Sequence, residues 1–406
     1  MLELFSKDIR KCCGCGACKD ICPKQAISMK EGKLGFSYPV VDTEKCIDCG
    51  LCIKTCAYQN EFEGMSSLQV FAAVNGEQNL FNLSASGGAF SAIAASFIRS
   101  GGLVYGCALT KKENSLYPRH IKVDNLDDLY RIQGSKYVQS DMENIYLEIY
   151  KELLKGEKVL FSGTPCQVAA LKKFIRKEYS NLVTVDLICH GVPSRKMFCD
   201  FLENYTKNHR CEIIDIRFRS KEAGGTCRAC IEYKKNRKVH KRYVEPWQIP
   251  YYQMFLSSEI YRESCYECKY ARAEREGDIT LGDYWGIEVV HPEYMIENNG
   301  SFDGSRGISA VLVNTEKGNN FIQEYGQQLV LEKSEIEKVA KFNKQLSGPS
   351  KKGKNREYIL NTYAQSGYAD VEKWFKKTVS KKGIVKYYLK IFLIKIRLGK
   401  LFGVKL

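Results

Sequence analysis

The sequence lacks the marks of an exported or membrane-spanning chain. No apolar segment follows Met1 to Lys11, and no run of about 18 uncharged apolar residues occurs, so neither an export signal nor a spanning helix is expected. A cytoplasmic chain is the expectation. No G-x-G-x-x-G is present, which removes the usual sequence sign of a dinucleotide fold. No nucleic-acid recognition motif accompanies the net charge of +15 either. That charge is uneven: residues 372–406 hold eleven Lys or Arg against one acid, +10 of the +15. The remainder is only mildly basic, and no specific nucleic-acid partner is expected. Without an oxidising compartment, the 18 cysteines do not read as a disulfide framework.

What the cysteines do form is a repeat. Cys12-x2-Cys15-x2-Cys18-x3-Cys22 returns 34 residues on as Cys46-x2-Cys49-x2-Cys52-x3-Cys56. Three cysteines at two-residue separations, on a loop punctuated by Gly14 and Gly16 and then by Gly50, can wrap three corners of a cubane with backbone N–H groups turned toward its sulfides. In the bacterial two-cluster ferredoxin pattern the fourth corner comes from the other copy. That assigns Cys12, Cys15, Cys18 and Cys56 to one [4Fe-4S] cluster, and Cys46, Cys49, Cys52 and Cys22 to a second. Zinc needs only four ligands per ion and no doubled run. Cys13 breaks the spacing and reads as a bystander, and Ala57 stands where the first copy has Pro23.

The fold class expected is mixed, α+β with α/β: a bacterial-type ferredoxin module over residues 1–62, then an α/β domain over residues 68–320. Gly32, Gly35 and Tyr38-Pro39-Val40-Val41 predict a small hairpin between the copies, and residues 61–67 read as a linker. Next come a strand from Leu68 to Val74, the turn Ser86-Gly87-Gly88, an apolar helix from Ala89 to Ser100 and a strand from Leu103 to Leu109. A helix start after such a turn offers unpaired N–H groups to an anion such as a flavin diphosphate; the same residues also suit a plain tight turn. A second unit runs through Lys158 to Phe161, the turn at Gly163 to Gln167 and a helix from Val168 to Lys177, and a third strand ends at Cys189. The alternation argues for an α/β core, with cysteines at strand ends where such sheets place their sites. Later, a strand at Ile308 to Val313 precedes a helix from about Gly318 to Leu331 and a helical extension over residues 321–371.

Two ligand sets compete for a third metal site. Cys227, Cys230, Cys265 and Cys268 have the spacing of a zinc ribbon with a long spacer, which spacing alone favours slightly. Cys166, Cys189, Cys265 and Cys268 are scattered but all lie at strand ends or in loops. The ferredoxin module, Ser86-Gly87-Gly88, Gly163-Thr164-Pro165-Cys166-Gln167, Cys189, and Cys265-x2-Cys268 with Gly277-Asp278-Ile279-x2-Gly282-Asp283 occur in that order. As an ordered set they resemble the coenzyme F420 hydrogenase/dehydrogenase beta-subunit family, over residues 1–320.

The resemblance implies an iron-sulfur flavoprotein with a third Fe-S cluster on Cys166, Cys189, Cys265 and Cys268. It implies FAD near Ser86, Gly87, Gly88, Ser135, Lys136, Tyr137, Thr164, Gln167 and Asp283. Lys136 as a surface lysine and Asp283 as a turn cap are the plainer readings. Cys227 and Cys230 fit no family position, and Cys107, Cys199 and Cys211 read as buried, inert thiols. A flavin connects one-electron clusters to two-electron chemistry. The implied function is an oxidoreductase moving electrons between ferredoxin-type clusters and FAD, and from FAD to an organic substrate or a deazaflavin. Some members of the family are associated with polysaccharide biosynthesis. The implied partner is a ferredoxin or a larger oxidoreductase complex; the alternative is an electron-transfer subunit without a substrate of its own. Residues 372–406 lie outside the resemblance. There Ile384, Tyr387, Tyr388, Ile391, Ile394 and Leu398 recur at helical spacing between lysines, which predicts either a contact with the inner membrane face or a docking helix with solvated lysines.

Overall fold

Apolar runs in the middle of the chain form the centre of a mixed sheet in a computed structural model, which describes residues 8–112, 115–223, 227–378 and Leu389. The strands are β1 (Ile27–Glu31), β2 (Ser37–Val41), β3 (Gln69–Asn75), β4 (Leu103–Lys112), β5 (Ser115–Val123), β6 (Val159–Ser162) and β7 (Leu182–Leu187). They continue with β8 (Glu212–Arg217), β9 (Ala229–Lys235), β10 (Lys238–Val244), β11 (Ile279–Asp283), β12 (Ser309–Val313) and β13 (Leu329–Ser334). Eight of them form one sheet in the order β13-β3-β12-β11-β7-β6-β4-β5, β8 to β10 form a three-stranded sheet, and β1 and β2 form the predicted hairpin. The neighbours among β4, β6, β7 and β11 run parallel; the flanking pairs are antiparallel. Every residue of β12 is buried, as a strand covered on both faces requires.

Two local expectations change, and one strand is additional to those expected. The helix expected to reach Leu331 ends at Tyr325, capped by Gly326, and Leu329–Ser334 turns back as an edge strand against β3. β5, which carries no turn signal strong enough to separate it, is the long antiparallel partner of β4. The expected linker is not free: Met65 and Arg275 exchange backbone hydrogen bonds of 2.9 and 2.8 Å, and Phe62 packs edge-on against Tyr270.

The Gly277-Asp278 segment is a structural tie between strands. Asp278 accepts from the Thr184 N–H and hydroxyl at 2.8 and 2.7 Å, and from Thr315 Oγ1 at 2.9 Å. Beside it, Arg275 and Asp186 pair at 3.2 Å with both side chains almost fully buried. A Cβ on Gly277 would press on the Asp186 backbone nitrogen, so this glycine answers to close backbone approach.

The cysteine-rich module is built into the same core. Ala17 and Ala57, each 0% exposed, pack with Tyr146, Val168, Leu171 and Tyr270. Small residues at both positions let the module's short helices sit flat against helix Pro165–Ile175, at the density of an ordinary interior. Except for Leu389, the expected tail helix lies outside the described residues. No helix among the described residues is long and apolar enough to cross a membrane.

Candidate iron-sulfur and flavin site

The 34-residue repeat is also a repeat of backbone conformation. Gly16 (φ +81°) and Gly50 (φ +71°) cap the starts of helices Ala17–Asp20 and Leu51–Thr55. Two residues earlier, Gly14 (φ +67°) and Asp48 (φ +54°) are both left-handed, a region that glycine enters freely and aspartate tolerates. The same two turns carry three thiols in each copy. Cys12, Cys15 and Cys18 line one cavity together with Cys56, while Cys46, Cys49 and Cys52 line another together with Cys22. The fourth member of each group comes from the other copy.

The surroundings of these thiols suit cluster-bound thiolates. Backbone N–H groups reach the sulfurs: Ala26 to Cys22 at 3.3 Å, Gly14 to Cys12, Ala17 to Cys15, and Tyr58 and Gln59 to Cys56. Such bonds favour the thiolate, while burial pushes Cys56 up to about 11. Two amides that the motif did not reveal hold the loops. Gln139 donates to the carbonyls of Cys13 (2.9 Å) and Gly14 (3.1 Å), and Asn60 donates to that of Cys56 at 2.8 Å.

A third group gathers from distant segments. Cys166 lies in the first turn of helix Pro165–Ile175, Cys189 follows β7, and Cys265 and Cys268 lie in and after the turn Glu263–Glu267. The strongest charge neighbours of Cys189 are Cys265, Cys166 and Cys268. Burial raises Cys189 strongly and Cys265 to about 12. Four neighbouring thiols, each partly buried, cannot ionise together unless cationic metal offsets them. N–H groups of Gly191, Val192 and Tyr270 point at Cys189, Cys265 and Cys268. Cys230, of the zinc-ribbon alternative, lies on β9 with its sulfur 4.0 Å from Arg217, and its main charged neighbours are Arg217, Glu222 and Lys241 rather than Cys265 or Cys268. Among the described residues, no three His, Cys, Asp or Glu side chains converge on a point that a single ion could occupy. Thiolates of a cubane are spread around four irons, so the groups suit clusters better than zinc.

The three groups stand in series. Cys52 is a charge neighbour of Cys18, which links the outer group to the inner one. Cys13, read from spacing as a bystander, is buried with its thiol hydrogen-bonded to both Cys15 and Cys166, and so joins the inner group to the third.

Beyond Cys189 the series opens on a set of cations. His190, pushed down by burial, has Asp283 and Arg219 as charge neighbours. Arg219 pairs with Asp283 at 2.5 Å. Lys221 donates to the carbonyls of Phe81 (2.7 Å) and Ser86 (2.5 Å), and burial, with Arg306 and Arg219 nearby, pushes it down to about 7. Neither Arg219 nor Lys221 is marked by a motif. Beside them, helix Ala89–Arg99 starts at Gly88 without a side-chain cap, which leaves N–H donors for an anion. Ser86 Oγ itself donates to the Ile308 carbonyl at 2.9 Å, and Asp283 is neutralised by its pairing with Arg219. Gly87 meets a different demand: a Cβ there would strike the Ala73 carbonyl and the Ser309 nitrogen.

The other expected flavin contacts are engaged within the protein. Thr164 and Gln167 form a capping box, with the Thr164 N–H donating to Gln167 Oε1 at 3.0 Å and Gln167 Nε2 donating to Ser140 Oγ at 2.9 Å. Thr164 Oγ1 lies 3.2 Å from the Cys166 sulfur. Lys136 donates to the Gln133 carbonyl at 2.5 Å and is pushed down to about 8 by burial. Tyr137 stacks on Phe255 at 4.1 Å, and Ser135 hydrogen-bonds its hydroxyl.

Two family models match the chain. Residues 11–60 match a 4Fe-4S dicluster domain, and residues 156–339 match the C terminus of the coenzyme F420 hydrogenase/dehydrogenase beta subunit. The F subunit of the F(420)H(2) dehydrogenase of Methanosarcina mazei is 22% identical over 269 residues, 57% of this chain and 74% of that one. Among solved structures, a chain of the F420-reducing [NiFe] hydrogenase complex from Methanosarcina barkeri is 16% identical, with a TM-score of 0.41, over 78% of this chain and 94% of that one.

Proposed function

We propose, for a chain whose residues 156–339 match the C terminus of the coenzyme F420 hydrogenase/dehydrogenase beta subunit, that it is an iron-sulfur oxidoreductase subunit of that family, carrying single electrons between an external redox partner and FAD. In this reading Cys22, Cys46, Cys49 and Cys52 hold an outer [4Fe-4S] cluster, Cys12, Cys15, Cys18 and Cys56 an inner one, and Cys166, Cys189, Cys265 and Cys268 a third. The observation that carries it is the series of thiol groups, which runs from exposed Cys46 and Cys49, through Cys18 and Cys13, to the cations beside Ser86. FAD, when bound, supplies the exchange between one-electron and two-electron chemistry. The chain's residues supply the rest: Arg219 and Lys221 draw the diphosphate to the open helix start, and the inner and third thiol groups are set back from the surface that exposes Cys46 and Cys49. The two-electron partner is an organic substrate or a deazaflavin.

A second reading, an electron-transfer subunit that serves a partner enzyme, is favoured by the M. mazei relative, which is itself named as a subunit. Flavin turnover by the isolated chain with a substrate supports the first reading; turnover only on adding a partner enzyme supports the second.

The test is metal and flavin analysis of anaerobically purified wild type and Cys166→Ser. The expected result is about twelve irons and one FAD in the wild type, with about four irons lost in the variant, from the ligand count of cubane clusters. Iron unchanged by Cys166→Ser overturns the third-cluster assignment, and absence of flavin overturns the FAD reading.

A further inference from the structure

Arg262 is 0% exposed, yet it has no acidic partner among the described residues. Its Nη2 donates to the Ser37 carbonyl, while Nε and Nη1 have no hydrogen-bond partner. The rings of Tyr38 and Phe36 lie 4.4 and 5.2 Å from its guanidinium carbon, and a side chain on Gly14 would collide with its nitrogens. A guanidinium stays charged at every accessible pH. Leaving one buried with unused donors is strongly unfavourable unless an anion faces it. The rings supply only part of that compensation, through cation–π contact. The groups whose charge it meets are thiols on two separate sites: Cys12 and Cys15 of the inner group, and Cys166 and Cys265 of the third. Cys52 of the outer group does not have it among its main charge neighbours.

We propose that Arg262 is a positioning residue for electron transfer that holds one positive charge between the inner and third clusters and raises the reduction potentials of both relative to the outer one. An all-cysteine cubane is anionic in both redox states and gains a further negative charge on reduction, so a fixed cation beside it favours the reduced form. In the step concerned one cluster loses an electron as its neighbour gains one, and no bond or proton changes. By acting on both, Arg262 shifts the two potentials together, setting the pair above the outer cluster so that electrons entering at the surface are drawn inward. The β2 rings and the Ser37 carbonyl fix its position, so the ferredoxin hairpin also contributes to the third site.

This inference rests on the cluster reading above, and the experiment separates the two. Iron and sulfide are first measured in the full chain as wild type, Arg262→Met and Arg262→Lys, followed by EPR-monitored redox titration. In iron-replete variants, Arg262→Met is expected to lower two of three midpoint potentials and leave the outer one in place, while Arg262→Lys restores much of the shift. Iron-replete variants with unmoved potentials, or with all three moved equally, overturn the role of Arg262 and leave the cluster reading intact. A wild type with no cluster signal overturns the cluster reading itself. Should Arg262→Met fail to hold iron, Arg262→Lys decides, since it keeps the charge but not the planar fork: its potentials must lie between those of wild type and a Tyr38→Leu, Phe36→Leu double variant that loosens the same guanidinium.

Discussion

In the first copy of the cysteine repeat the loop around Gly14 is packed inside the molecule, whereas in the second the loop around Asp48 lies at its surface. Cys18 is 8% exposed and Ala17 0%, while Cys46 and Cys49 are exposed. Gly14 is walled in by Arg262 and Gln139; its counterpart Asp48 adopts the same left-handed turn with its side chain in solvent. Identical local geometry therefore serves two different environments. A cluster at the exposed copy can meet a redox partner directly, and one at the buried copy is screened from water and reached by fixed charges. What sets the two apart is the surface each is packed against.

The comparison is broken most sharply at the paired turns. Gly14→Ala is expected to cost about 3 kcal/mol, combining left-handed strain with a clash against a packed guanidinium. Asp48→Ala, already left-handed and open to solvent, is expected to cost under about 1 kcal/mol. Urea unfolding of the two variants gives both numbers, and equal costs would show that burial does not distinguish the copies.

Acid stability tests the buried side alone. His120, on β5, is stacked on Phe161 and bonded to the Ser162 carbonyl at 3.0 Å, at the strand end that leads to Cys166. Burial pushes it down to about 4, and its other ring nitrogen has no partner. Because the folded pKa lies below the unfolded one, the unfolded chain binds the proton first. Stability is then fully present above about pH 6.5 and falls as pH drops toward 4, by about 2 kcal/mol at pH 5 relative to pH 8. His120→Gln should flatten that part of the pH profile relative to wild type; an unchanged slope would refute the assignment.

The smallest effect sharpens the contrast without mutation. In iron-free protein, brief alkylation read by mass spectrometry should label Cys46 and Cys49 first, and Cys13 and Cys18 last. Comparable rates at Cys18 and Cys46 would remove the distinction.

Much of the outer architecture was legible beforehand. The spacing of Cys12 to Cys56 with glycines at the turns implied three thiols wrapped by each loop, and the likeness to the bacterial two-cluster ferredoxin pattern supplied the crossed fourth. The hairpin after Gly32 and the strand–turn–helix units around Ser86 and Cys166 followed from apolar runs and turn residues. The β13 edge strand was missed because Leu329-Val330-Leu331 continues the apolar pattern of the helix before it, and only pairing with β3 selects the strand. Gln167 and Tyr137 were expected at a flavin but are engaged by a helix cap and an aromatic stack, which motif matching does not see.

Local spacing, then, determined the cysteine loops and the strand signals, since both depend on neighbours a few residues apart. Spacing slightly favoured Cys227 and Cys230 as partners of Cys265 and Cys268, and only resemblance named Cys166 and Cys189 instead; the tertiary structure alone decided that Cys13 joins two thiol groups and that Arg262, Arg219 and Lys221 bring their charge to these sites. Those residues lie up to about 250 positions from the groups they face, and their meeting depends on strand order and on which face of the sheet each loop leaves, a property of the whole packed chain.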